Sequence, residues 1–171
     1  MRTCLLLLAA ALAAPGCEAE VASPDEETPD FEVARTQVEL LPYRVRLARV
    51  AQVAGVAQDD PILTVLRESR LELGDHDYAS GVRPDLRWSA SRMGAWVKAI
   101  LPVCDSEAMQ ARYPDLIDDP GALIAAAYGR DATEEDLTAI DQALEGASLD
   151  DAERRRAICL AILSSAEFVV R

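Results

Sequence analysis

One histidine, four cysteines and three adjacent aspartate pairs are the side chains in this 171-residue sequence that could do chemistry. His76 lies between Asp75 and Asp77, inside Gly74–Leu86, a thirteen-residue stretch with no helical period. Irregular stretches of that length often carry function. An imidazole flanked by carboxylates can bind a metal or move a proton. The same Asp- and Gly-rich composition also makes a turn or capping cluster. One His with no second His or free Cys near it is a poor ligand set, so no metal is assigned. Any Ser–His or Cys–His mechanism would have to use His76, and no spacing pairs Cys104 with it, so no catalytic residue is assigned. Asp75, His76 and Asp77 stand as a candidate functional loop. There is no Cys-x-x-Cys-His, which excludes covalent c-type haem, and no phosphate-cradling glycine loop, so no cofactor is assigned.

The remaining reactive types have structural explanations. Asp59-Asp60, Asp118-Asp119 and Asp150-Asp151 fall at helix starts, where the helix dipole favours them. Arg154-Arg155-Arg156 fits a solvated helix face with i, i+4 pairing better than an anion site. Trp88, Met93 and Trp96 sit on or beside the most apolar helix, and core packing explains them. Cys104 and Cys159 leave two possibilities open. They form a disulfide closing a loop of 55 residues, or they are two buried thiols acting as small apolar residues.

The start of the chain reads as a targeting segment. Met1-Arg2 is a short positive start, Leu5–Ala14 is an apolar run of ten residues, and small residues follow. That is the order of a secretory signal peptide. The run is too short to span a bilayer, which takes about 20 apolar residues. Ala14-Pro15-Gly16-Cys17 resembles the lipobox of bacterial lipoproteins, with Ala14 where that family prefers Leu. The resemblance implies cleavage before Cys17 and its lipidation. The rival is an ordinary secretion site at Ala11-Leu12-Ala13, which would leave a secreted or periplasmic soluble chain. Lipidation of Cys17 leaves Cys104 and Cys159 as an even pair in an oxidising compartment.

Net charge is −13, from 17 bases against 30 acids. Glu18–Asp30 holds six acids and no base, and the chain from Phe31 onward holds 24 acids and 16 bases. The first stretch has the composition of a disordered, self-repelling spacer. The acidic balance argues against nucleic-acid binding and against charge-driven adhesion to an anionic membrane.

The rest reads as helices. Expected segments are Phe31–Leu41, Tyr43–Ala54, Pro61–Leu73, Ser89–Leu101 ended by Pro102, Glu107–Arg112, Pro120–Tyr128, Glu134–Glu145 and Leu149–Leu163. Pro42, Pro61 and Pro120 suit first turns. Asp60 and Asp119 suit N-caps. Gly55, Gly74, Gly129 and Gly146 suit C-terminal stops. Thr133 with Asp136, and Ser148 with Asp151, resemble capping boxes. No segment alternates as a strand would.

From Ala122 to Arg171 the order is an apolar helix ending in Ala127-Tyr128-Gly129-Arg130, then Thr133-Glu134-Glu135, a second helix, Arg154–Leu163, and Ser164-Ser165-Ala166-Glu167-Phe168. This resembles the terminal helical segment of planctomycete-type cytochrome-associated families of unknown function, with Ala166 in place of the usual Pro. The likeness covers about 50 residues and implies an exported, helical accessory module with a possible redox neighbour. On the residues themselves, Arg130 can reach the preceding carbonyls or an acid such as Glu134 or Glu167, and Ser165 can cap a last short helix that tucks Phe168 inward.

The expected organisation is a signal peptide over 1–16, a lipidated, disordered acidic tether over 17–29, and an all-α domain of seven or eight short helices over 30–171. The expected function is a lipid-anchored binding or scaffold module of the bacterial envelope, without catalytic activity, that docks a periplasmic or outer-membrane protein. The membrane partner is reached through the lipid, and no nucleic acid is expected. The alternative is a small exported enzyme or redox-accessory protein using the His76 loop.

Overall fold

Pro42 forces the residue before it away from helical backbone angles, and the chain enters the fold extended. In the computed structural model, which describes residues 39–170, the backbone N–H of Leu40 donates to Leu86 O (2.8 Å) and that of Leu41 to Val169 O (2.8 Å). Glu39 bridges Arg87 and Leu40 bridges Val170, both antiparallel. The helix expected over Phe31–Leu41 is therefore absent at 39–41, where Leu40 is a fully buried bridge residue. The signal peptide, Cys17, the acidic tether and the rest of that helix lie outside the described residues.

Eight α-helices follow: α1 Tyr43–Ala54, α2 Thr64–Glu68, α3 Ala90–Cys104, α4 Glu107–Arg112, α5 Gly121–Tyr128, α6 Glu134–Leu144, α7 Asp151–Ser164 and α8 Ala166–Val169. No strand forms among the described residues, so the fold is all-α. No helix among them is long and apolar enough to cross a membrane. The described residues belong to one compact unit.

The core is built around α3. Its Trp96, Ala99, Ile100 and Val103 are fully buried, and the helix packs chiefly against α7 and α2, while α1 packs on α5. Trp96 Nε1 donates to Leu163 O at 2.9 Å, and its ring lies 6.5 Å from that of Phe168. Core packing is thus the role of Trp96. Each fully buried Leu or Ile adds roughly 2 kcal/mol.

Three boundaries differ from the sequence expectation. Pro102 does not end α3. Val103 and Cys104 continue the buried stripe of Ala99 and Ile100, and the turn is closed by Asp105 N donating to Leu101 O at 3.1 Å. The extra turn carries Cys104 to Cys159 on α7, and the two are joined in a disulfide with Cα atoms 5.7 Å apart. The segment over Pro61–Leu73 breaks up. It is a 3₁₀ turn at Pro61–Leu63, the short α2, then irregular turns that bury Leu73. Helix α7 is capped by Asp150 with Glu153, not by Ser148 with Asp151 (Glu153 N to Asp150 Oδ1, 2.8 Å; Asp150 N to Glu153 Oε2, 3.0 Å). The Thr133–Asp136 box on α6 forms.

Candidate functional site

Helix α1 places Tyr43 and Leu47 one turn apart, with Arg44 beside them on the exposed side. The turns after α1 bring up Gln58 and Asp59. Helix α2 adds Arg67, and the turn after it adds Arg70. Together with Asp75 these line an open groove of about 560 Å³. Tyr43 forms part of its wall, and its hydroxyl donates to Leu66 O at 2.9 Å. Burial, and then the nearby Asp75 charge, push that phenol up to about 12.

The arginines are held differently. Arg70 Nη1 donates to Asp75 Oδ2 (3.2 Å) and to His76 O (2.8 Å). Arg67 donates to Gln58 O (3.0 Å), Asp60 O (2.8 Å) and Thr64 Oγ1 (3.2 Å), all neutral oxygens. Arg44 is exposed and has no hydrogen-bond or ion-pair partner among the described residues. Below the groove, Arg46 is fully buried. Its Nε donates to Leu41 O at 2.9 Å, its Nη2 donates to Leu73 O, and its guanidinium lies 5.0 Å over the Trp96 ring. Burial, reinforced by the charge of Arg92, lowers its pKa to about 10.

The candidate loop is anchored at its neck. Asp85 N donates to Gly74 O at 3.2 Å. Gly74 has φ +88°, and a Cβ there would sit 2.2 Å from Asp85 O, so only glycine fits. Arg92 Nη2 pairs with Asp85 Oδ2 at 2.9 Å. Hydrogen bonds from Arg87, then those from Arg92, hold the Asp85 carboxyl well below the usual carboxylate range. Within the loop, Asp75 is buried and lies 3.1 Å from His76 Nδ1. A carboxylate beside an imidazole nitrogen is the pairing by which a general base is oriented. The His76 ring also stacks on Tyr78, centroids 4.3 Å apart. Asp77 lies 3.9 Å from Arg70 Nη2 and also caps the 3₁₀ turn Tyr78–Ser80, accepting from Ser80 N (3.3 Å) and Oγ (3.1 Å).

The structure therefore brings Asp75 and His76 together and gives Asp77 a turn-capping task. Asp75 lines the groove, and His76 and Asp77 do not. No hydroxyl or thiol among the described residues hydrogen-bonds to the His76 ring, and Cys104 is tied up in its disulfide. No group of three His, Cys, Asp or Glu among them could hold a metal ion.

Other singled-out residues have structural tasks. Asp60 accepts from Ile62 N and Asp119 from Gly121 N, each at 2.9 Å. The arginine run on α7 does not pair along its own helix. Arg155 donates to Tyr113 O (2.6 Å) and Pro114 O, and Arg156 to Asp105 Oδ1 (2.6 Å). Arg130 grips Glu167 (2.8 and 2.7 Å) and Asp136 (2.6 and 3.0 Å), not Glu134. Ser165 caps α8, whose Phe168 is fully buried.

Sequence reasoning passed over the groove arginines. Their one sequence signal was three arginines, Arg44, Arg67 and Arg70, in a body with an acid excess. No family model, curated protein or solved structure matches this chain.

Proposed function

We propose that this chain is a lipid-anchored module of the bacterial envelope, without catalytic activity of its own, that docks a protein partner through the α1–α2 groove. The observation that carries the proposal is charge left unpaired in an open groove. Arg44 has no partner among the described residues, and Arg67 spends its donors on neutral oxygens. Ion pairing within the fold does not account for them, which leaves both charges available to a bound partner. The Leu5–Ala14 run followed by Gly16-Cys17 supports the anchor. The Cys104–Cys159 bridge supports an oxidising compartment. The likeness of Ala122–Arg171 to exported accessory modules supports the same placement.

The test is affinity capture of the mature, lipidated protein after mild crosslinking, compared across variants. Arg44→Glu is expected to lose a discrete adduct that the parent chain and His76→Ala both retain. An adduct indifferent to Arg44→Glu would refute the groove as the docking face.

The Asp75–His76 contact favours a second reading, a small exported enzyme using His76 as a general base. That reading requires His76→Ala to abolish the cellular phenotype while leaving the adduct in place.

A further inference from the structure

The charges lining the groove come close to naming its ligand. Arg70 is joined to Asp75 at 3.2 Å, with Asp77 3.9 Å away outside the groove lining, and its charge is spent. What remains is Arg44 and Arg67 against Asp59, an excess of one positive charge on a body with 16 bases and 24 acids from Phe31 onward. A single carboxylate balances that excess. A phosphate dianion overshoots it and meets Asp59 and Asp75 as well. An extended polyanion, nucleic acid or anionic membrane, is repelled by the rest of the surface. The guanidinium fork matches a carboxylate with two parallel donors. Tyr43 and Leu47 give the same groove an apolar wall. That pairing of one carboxylate site with an apolar strip suits a Glu or Asp side chain next to a Leu-like residue on an extended segment.

Building on the docking reading above, we infer that the groove recognises an acidic peptide segment of the partner, with a carboxylate received by the Arg44 fork and attracted by the charge of Arg67. Arg44 is the specificity-determining residue, because it is the one groove arginine whose donors are unspent.

The test is a titration of the full mature chain, in detergent micelles, with three probes. They are a capped peptide of alternating glutamate and leucine, its glutamine counterpart, and inorganic phosphate. The glutamate peptide is expected to bind at least tenfold tighter than the glutamine peptide. It should shift the Nε–H resonances of Arg44 and Arg67, and bind at least tenfold more weakly to Arg44→Gln. Arg44 is exposed, so that variant should keep the circular dichroism spectrum of the parent. Equal binding of the two peptides overturns the inference, and so does phosphate binding as tight as the glutamate peptide, which would mark a small-anion site. An adduct lost in Arg44→Glu with no glutamate preference would sink the ligand class and leave docking standing. The reverse pattern, a glutamate preference with an adduct indifferent to Arg44→Glu, would sink the docking face instead.

Discussion

Arg46 is the residue on which the site rests. It occupies the apolar stripe of α1 with Tyr43, Leu47 and Val50, at helical spacing, and is fully buried. Its two carbonyl partners, on Leu41 and Leu73, belong to the segments entering and leaving the α1–α2 unit. The same contacts fix where the loop at Gly74 begins. Hydrogen bonds to a charged donor are worth about 1.5–3 kcal/mol each, and truncating a large buried side chain leaves a cavity. Arg46→Ala is therefore expected to lower stability by about 3 kcal/mol or more, seen as a drop in the urea midpoint. Little of this was legible in the sequence, because an arginine in a helix reads as a surface residue until its position in the apolar stripe is noticed. His76 was legible as part of a turn cluster, and Asp77 does cap a turn. The direct Asp75–His76 contact was not, since neighbours in sequence do not announce which way their side chains turn. His76→Ala removes a partly exposed ring and is expected to cost about 1 kcal/mol or less in the same assay.

At the scale of elements, Arg130 ties together the end of α5, the start of α6 and α8 through Asp136 and Glu167. Hydrogen bonds from Arg130, then those from Thr133, hold the Asp136 carboxyl well below the usual carboxylate range. Its folded-state pKa lies below the unfolded value of about 3.9, so its stabilisation is present above that value. The stabilisation is lost as pH falls toward the folded-state pKa. Both partners meet solvent, which keeps the effect modest. Asp136→Asn is expected to lower the urea midpoint at pH 7 and to flatten its decline between pH 4 and pH 2. An equal loss at every pH would contradict the ion-pair account. Elements with a clear start or stop signal, such as α1 ended by Gly55, α5 by Gly129 and α6 opened by the Thr133–Asp136 box, were legible to within a residue or two. Failures came where tertiary partners overrode local signals. Pro102 costs one backbone bond, but the buried Val103 and the bridged Cys104 hold the next turn. At Leu40 and Leu41, Leu86 and Val169 take the backbone groups that a helix would have used.

For the whole molecule, the Cys104–Cys159 bridge joins the two helices that pack most extensively, across 55 residues of sequence. Closing a loop of that length in the unfolded chain is worth about 4 kcal/mol by loop entropy. Replacing both cysteines by serine is expected to lower stability by about that amount, and reduction of the parent protein should match it. The same expectation of an oxidising compartment ties the domain to its proposed anchor. Cys17→Ser should move the protein from the membrane fraction to the soluble fraction without changing its urea midpoint.

The docking claim is tested most directly in the cell. A photoreactive amino acid is placed at position 44 in the groove, and in a second strain at position 135, exposed on α6. The docking account predicts one discrete adduct from position 44, none from position 135, and loss of the first when Arg67→Glu is added. Matching adducts from both positions, or an adduct at 44 that survives Arg67→Glu, would contradict it.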